Sequence, residues 1–401
     1  MTCRVCENLT KTVLDLGSTP PANSLLSSPN EVIKSHPLVL EYCNSCCNLQ
    51  LRDCLDSDDL YKYYFYVTPN SKTLESHYQY LTNFLLSKKY LTKDSAVVEV
   101  GSNIGAFLQH ISPNVKSIIG IDPAENIVKE ANIKGINTIC DFFSEKSAIA
   151  LKNSHGFADA IIARHCFAHN SSPHELLRGV KALLAPNGNV LIENAYVVNT
   201  IEGNEFDQIY HEHMFYYSIQ SMSKALELNG LVLVDVLISL IHGGSICFVA
   251  KHAESNPDIS ESVSSHLAYE KKILNENSLL IFASNAYKLK LELSSYIKSL
   301  VKKGKIVYTY GATAKGNTLL NFTGLDSKFI KYCVDNTDIK YNKYLPGTGI
   351  KIINEQEGIE FPPDFYLLTA WNYKDEIITK VRNAGNYDSA FIIPFPKFAV
   401  V

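Results

Sequence analysis

The sequence lacks any run of about 18 apolar residues, the length a membrane-spanning helix needs, and Met1-Thr2-Cys3-Arg4 leads into no signal-peptide core. Neither a membrane nor an export route is therefore expected, and the chain is placed in the cytoplasm. It also lacks an excess of positive charge, with 37 Lys and Arg against 41 Asp and Glu and a formal net charge of -4. Without a basic stripe, no nucleic-acid partner is expected. No low-complexity segment is visible. What is present is 401 residues, 46% of them hydrophobic, too many for one ordinary core and enough for two or three domains.

There are ten cysteines. In a reducing compartment metal ligation or burial is a better expectation for them than disulfides. Cys3-x-x-Cys6 and Cys43-x-x-Cys46 form two short hooks separated by 36 residues, and each gap lets a tight turn aim two thiolates at one tetrahedral ion. Cys47 and Cys54 lie near enough to leave the fourth ligand open. Cys140, Cys166, Cys247 and Cys333 sit in apolar runs and are read as buried thiols. A zinc ion bound by Cys3, Cys6, Cys43 and Cys46 would have no open position. It is expected to be structural, holding a segment too small to be secure on its own core.

An aromatic stretch, Tyr61 to Thr68, follows, and then a helix through Leu74 to Leu91. From residue 95 short β-rich runs alternate with helical ones: Ala96 to Val100, Ser117 to Ile121, Ala158 to Ile162 and Asn189 to Ile192. Such alternation builds a parallel sheet with helices on both faces. Leu231 to Val236 and Ser245 to Ala250, joined through His242-Gly243-Gly244, are read as antiparallel edge strands. Residues 264–303 contain no Gly or Pro and read as a long helical connector. Beyond it Lys305 to Tyr310, Phe329 to Val334, Phe365 to Leu368 and Ala390 to Ile393 repeat the α/β pattern. The expected architecture is a small zinc-binding domain (1–60), a Rossmann-like α/β domain (61–265) and a second Rossmann-like α/β domain (266–401).

Each α/β unit opens with a strand, a glycine loop and a helix: Val98-Glu99-Val100-Gly101-Ser102-Asn103-Ile104-Gly105, and Tyr310-Gly311-Ala312-Thr313-Ala314-Lys315-Gly316-Asn317. Glycine lets the backbone turn sharply and approach a ligand at a helix N-terminus. Around the first loop stand Glu99, Asp122 and Asp141, the last beside Phe142. These acids would repel a pyrophosphate but suit a ligand with a cationic centre and free ribose hydroxyls, such as S-adenosylmethionine. The second loop carries Lys315 and favours an anionic ligand such as a nucleoside diphosphate. Asn317 occupies the lysine position of a P-loop pattern, so ATP hydrolysis is not expected. Asp335 lies about as far past Gly311 as Asp122 lies past Gly101.

Within Glu205 to His213, the seven residues from Asp207 are dense in titratable groups: two histidines, Asp207, Glu212 and Tyr210. If the segment is extended, His211 and His213 share a face and could bind a second metal. The other reading is general acid–base chemistry, with one histidine as base, Glu212 orienting it and Tyr210 donating to a developing oxyanion.

Through the zinc-binding start Cys3-Arg4-Val5-Cys6, Asp15 to Ser24, the Val98 to Asn103 loop, Phe206 to His213, His242 to Ser245 and Tyr310 to Gly316, the chain resembles the sugar C-methyltransferases of deoxysugar pathways along essentially its whole length. The resemblance implies S-adenosylmethionine held by Glu99, Gly101, Asn103, Gly105, Asp122, Asp141 and Phe142. It implies a nucleotide-linked keto sugar met by His242, Gly244, Lys315 and Asn317. It further implies His213 as base, Tyr210 and Glu212 assisting it, and Tyr66 closing over the sugar. The chain departs from the family pattern at Ile104, at Arg164-His165-Cys166 and at Thr68. Rival readings are an O- or N-methyltransferase on a nucleotide sugar, and a zinc-ribbon module acting on RNA.

Overall fold

The computed structural model describes residues 1–56, 60, 68 and 71–401. Most of the aromatic stretch, Tyr66 included, lies outside the described residues. No helix among the described residues is long and apolar enough to cross a membrane.

The N-terminal segment folds on a small antiparallel sheet of Lys11–Thr19 (β1), His36–Cys43 (β2) and Asn48–Leu51 (β3). The Cys43 to Cys47 hook makes the turn between β2 and β3. The sheet's fourth strand comes from far along the chain. Phe215–Tyr216 (β9) pairs with β3 in the register Leu49↔Tyr216 and Gln50↔Phe215. The segment from Phe206 to His213 therefore ends where the N-terminal sheet begins.

The central sheet is built on Ala96–Val100 (β4), Ser117–Asp122 (β5), Thr138–Cys140 (β6), Ala158–Arg164 (β7) and Leu184–Ala195 (β8). These strands are parallel and rich in Val and Ile, as strands buried on both faces must be. Leu231–Ser239 (β10) and Ser245–His252 (β11) complete the order β10-β11-β8-β7-β4-β5-β6. Of these two strands only β10 is an edge. β11 is inserted between β8 and β10 and runs antiparallel to both, because the tight Ile241 to Gly244 turn leaves no room for a crossover.

The helical connector is broken. One helix covers Glu261–Ile273 and another Glu276–Lys302. Asn275 caps the second, its Oδ1 accepting the Ser278 N–H at 3.0 Å, so Asn-x-x-Ser restarts the helix without any Gly or Pro. Leu293, Ile297 and Leu300 of that helix are buried against the third sheet's core.

That sheet consists of Val307–Tyr310 (β12), Tyr332–Val334 (β13), Lys351–Ile353 (β14), Phe365–Leu368 (β15), Ala390–Ile393 (β16) and Ala399–Val400 (β17). Its order, β14-β13-β12-β15-β16-β17, reverses direction between β12 and β15. The central sheet reverses between β4 and β7. Ligands of open α/β sheets lie at such reversals, outside the carboxyl ends of the strands.

Candidate active site

A cavity of about 460 Å³ lies between the two reversal points. Its walls come from the loops after β4, β5 and β7, the loops after β12, β13 and β15, and the Gln208 to His213 turn.

The two glycine loops are built alike. Gly101 has φ +64°, its N–H donates to the Ile121 carbonyl at 2.8 Å, and an added Cβ would come within 2.6 Å of Cys166. Gly311 has φ +105°, its N–H donates to the Val334 carbonyl at 2.8 Å, and a Cβ would come within 2.6 Å of Ala370. Only glycine fits either turn. After the first, Asp122 Oδ2 accepts the Asn103 N–H and Oδ1 the Ala124 N–H, both at 3.0 Å. After the second, Asp335 Oδ2 accepts the Ala312 N–H at 2.7 Å and Oδ1 the Thr337 N–H at 2.9 Å. A carboxylate has about four acceptor sites, so each aspartate keeps capacity for hydroxyls of a ligand. Burial pushes the Asp122 carboxyl up, and its two N–H donors pull it back. Lys340 stands 3.5 Å from Asp335, giving the second loop a positive character to which Lys315 adds.

Behind the first loop lies a buried charge network. Arg164 pairs with Glu99 at 3.5 Å and with Glu193 at 3.0 Å, and its guanidinium covers the rings of Phe107 and Tyr78 at 4.4 and 4.7 Å. His77 Nε2 and Glu193 Oε1 are 2.6 Å apart. Burial raises the Glu99 pKa to about 8, against the pull of Arg164. Burial also works against the Glu193 charge, but the His77 hydrogen bond with His165 and Arg164 outweighs it and holds Glu193 well below the usual carboxylate range. The unusual Arg164-His165-Cys166 is thus matched by its surroundings. His165 meets the His242 ring edge-on at 4.7 Å, and the Cys166 thiol donates to the Val100 carbonyl at 3.0 Å. The Thr68 N–H and hydroxyl both donate to Asn103 Oδ1, at 3.0 and 3.1 Å.

The Tyr210 hydroxyl and His213 Nε2 are 2.6 Å apart, and His213 Nδ1 lies 3.2 Å from the Gln208 carbonyl. A carbonyl can only accept, so the proton of the neutral ring sits on Nδ1 and Nε2 keeps its lone pair. Burial, followed by the charges of His169 and Lys315, depresses the His213 pKa well below the ordinary imidazole value. Burial thus favours the neutral ring. His211 faces elsewhere, its Nε2 3.3 Å from the His36 carbonyl. The segment is a turn closed by the His213 N–H on the Tyr210 carbonyl at 2.9 Å, so the expectation of one shared histidine face for a metal does not hold. Glu212 is buried, and its Oε1 accepts from the Asn23 side chain at 2.9 Å.

Glu99, Gly101, Asn103, Asp122, Asp141, Phe142, Tyr210, His213, His242 and Lys315 all reach the cavity wall. Gly105, Glu212, Gly244 and Asn317 stand behind it. Gly105 packs on Ile136, Gly244 on Asn199, and Asn317 is buried in the helix Ala314–Thr323. Lys315 Nζ crosses to the His242 carbonyl at 2.7 Å, and Trp371 Nε1 donates to Asp207 at 2.7 Å. Two polar contacts thus tie the third sheet's loops to the central unit. Asn23, Arg164 and Glu193 were missed by sequence reasoning. Arg164 carried a signal, as a charged residue ending a core strand.

The metal reading fits four cysteines. The Sγ atoms of Cys3, Cys6, Cys43 and Cys46 all lie within 4.8 Å of one another, with Cys3 to Cys46 at 3.6 Å and Cys6 to Cys43 at 3.5 Å. Zinc–sulfur bonds of about 2.3 Å in a tetrahedron require sulfurs about 3.8 Å apart. Cys47 is engaged elsewhere, with Tyr42 and Gln220 each 3.2 Å from its sulfur. Among the described residues these four form the one group of such side chains placed to hold a metal ion. Cys140, expected to be buried, is exposed at the end of β6.

Residues 3–61 match the model of a zinc binding domain, 72–236 that of a methyltransferase domain, and 240–396 that of the C-methyltransferase C-terminal domain. The chain is 35% identical over 404 residues to C-methyltransferase NovU of Streptomyces niveus, covering 100% of this chain and 96% of that one. The chain belongs to this family of C-methyltransferases. Among solved structures it resembles N-methyltransferase NodS from Bradyrhizobium japonicum, at 13% identity and a TM-score of 0.36 over 46% of this chain and 98% of that one. It also resembles magnesium protoporphyrin IX methyltransferase from Synechocystis, at 13% identity and 0.35 over 46% and 90%. This C-methyltransferase uses S-adenosylmethionine and carries a zinc-binding N-terminal segment.

Proposed function

We propose that this C-methyltransferase methylates the carbon next to the ketone of a nucleotide-linked 4-keto deoxysugar, in the cytoplasm. The reading divides the work among residues 1–60, which hold zinc, 61–265, which hold the methyl donor, and 266–401, which hold the nucleotide. One observation carries it: the Tyr210 and His213 pair stands in a cavity walled by two similarly built glycine loops, one acidic and one bearing lysines. The acidic loop suits the sulfonium cofactor, with Asp122 accepting from its ribose hydroxyls. On the other side Asp335 suits a second ribose, and Lys315 and Lys340 suit phosphate oxygens.

A carbon beside a ketone gives up its proton only if the enolate oxygen is stabilised as the proton leaves. In the free enzyme the Tyr210 hydroxyl caps His213 Nε2. A bound ketone oxygen competes for that hydroxyl, and the exchange frees the Nε2 lone pair for the carbon-bound proton. Hydrogen bonding of Nδ1–H to the Gln208 carbonyl supports the imidazolium that forms. S-adenosylmethionine supplies the methyl group to the carbanion. Holding both substrates in one cavity replaces much of the entropy cost of their encounter.

The test is incubation with S-adenosylmethionine and a panel of nucleotide 4-keto sugars, followed by mass spectrometry and localisation of the added methyl. One methyl on carbon supports the reading, and a methyl on oxygen or nitrogen overturns it. The cofactor site has its own test. Removing a hydrogen-bond acceptor that is charged costs about 1.5–3 kcal/mol, so Asp122→Ala should weaken S-adenosylmethionine binding by about tenfold or more in calorimetry. Unchanged affinity would move the cofactor to the Gly311 loop.

A further inference from the structure

Asn23 belongs to the zinc-holding segment, yet it reaches the wall of the cavity that holds Tyr210 and His213. Its Nδ2 donates to Glu212 Oε1 at 2.9 Å, and its backbone N–H points to the same oxygen at 3.3 Å. Glu212 is buried and directly precedes His213. Burial pushes its carboxyl up, and the Asn23 donors are among the contacts that pull it back. The stretch around Asn23 is fixed at both ends against the third sheet's loops. Leu26 and Tyr344 exchange two backbone hydrogen bonds of 2.9 Å, and Pro20 packs on Gly347, where an added Cβ would come within 3.0 Å of the proline ring. A donor held this way loses little freedom when it engages the carboxylate.

We infer that Asn23 is a positioning residue for methyl transfer: it anchors Glu212, and through Glu212 the turn that carries His213, so that the zinc-holding segment completes the active site. The inference rests on the reading of His213 as the base. It gives a role to the Asp15 to Ser24 stretch, which the metal site and the cofactor loop leave unexplained. It also accounts for a carboxylate next to the base whose acceptor is turned to the N-terminal segment.

The experiment is a double-mutant cycle on the panel sugar that the wild-type enzyme methylates. Asn23→Ala, Glu212→Ala and the double variant are compared by kcat and by KM for S-adenosylmethionine, with zinc content measured in each. Loss of a hydrogen bond to a buried charge should lower kcat by about tenfold or more in Asn23→Ala, with the cofactor KM and zinc content unchanged. The double variant should be no slower than the slower single variant, because both remove one contact. Losses that multiply independently would overturn the inference, as would a wild-type kcat in Asn23→Ala. Asn23→Asp guards against a misfolded alanine variant. It keeps the shape but sets two carboxylates together, so it should lose at least as much kcat, and full activity there would also overturn the inference. If the wild-type methyl lands on oxygen or nitrogen, the reading of the reaction fails, whereas the coupling between Asn23 and Glu212 is still read from the cycle.

Discussion

His213→Asn should lower turnover by about 10²–10⁴-fold, the usual cost of removing a positioned base, while leaving S-adenosylmethionine affinity nearly unchanged. The Gly101 to Gly105 loop proposed to hold the cofactor is a separate segment from the turn that carries His213, whose ring meets the Tyr210 hydroxyl and the Gln208 carbonyl. His211→Asn is the control, because its ring faces the His36 carbonyl and should matter far less for turnover. Reversal of the two effects would make His211 the base. The same burial fixes the pH dependence. A depressed pKa means that Nε2 stays unprotonated as pH falls through the ordinary imidazole value of about 6.5, so the acid limb of kcat should lie below that value. An acid limb at or above pH 7 in the wild type would point to a different base.

Cys43→Ser should release the metal and take most of the turnover with it. Four thiolates around one ion leave no position for water or substrate, so the expected loss is structural. Structural zinc sites contribute on the order of 10–16 kcal/mol to the folding of small zinc domains, far more than the marginal core of such a segment supplies. Here the consequence reaches the active site, because β3 holds β9 and β9 begins two residues after His213. Chelation of the wild-type protein should act in the same direction, lowering melting temperature and turnover together, with recovery on adding zinc. Full metal content in Cys43→Ser, or a zinc-free protein of unchanged stability, would show the assignment to be wrong.

Elements with strong local pattern were legible. Ala96 to Val100, Phe365 to Leu368 and Ala390 to Ile393 are the strands that their apolar runs predict. Thr138–Cys140 and Lys351–Ile353 have three residues each, too few for any periodicity to stand out. The pairing of Asn48–Leu51 with Phe215–Tyr216 joins distant parts of the chain and leaves no trace in either neighbourhood. The break at Asn275 was hidden because helix capping needs neither Gly nor Pro.

In the site, residues at fixed offsets from strands were legible. Gly101 and Asp122 follow from where β4 and β5 end, and Lys315 from its loop. Illegible were the partners supplied by tertiary structure: the His242 carbonyl for Lys315, Glu193 for Arg164, and Asn23 for Glu212. His211 and His213 are two residues apart, and only the turn between them shows which one meets Tyr210.

The most direct measurement follows the hydrogen. A nucleotide 4-keto sugar carrying deuterium on the carbons next to the ketone is methylated by the wild-type enzyme, and the product is analysed by mass spectrometry for label at the methylated carbon. Loss of one deuterium from that carbon for each methyl gained, slowed in His213→Asn in step with turnover, is the predicted result. A methylated product that retains every deuterium would contradict proton abstraction and leave methyl transfer to oxygen or nitrogen in its place.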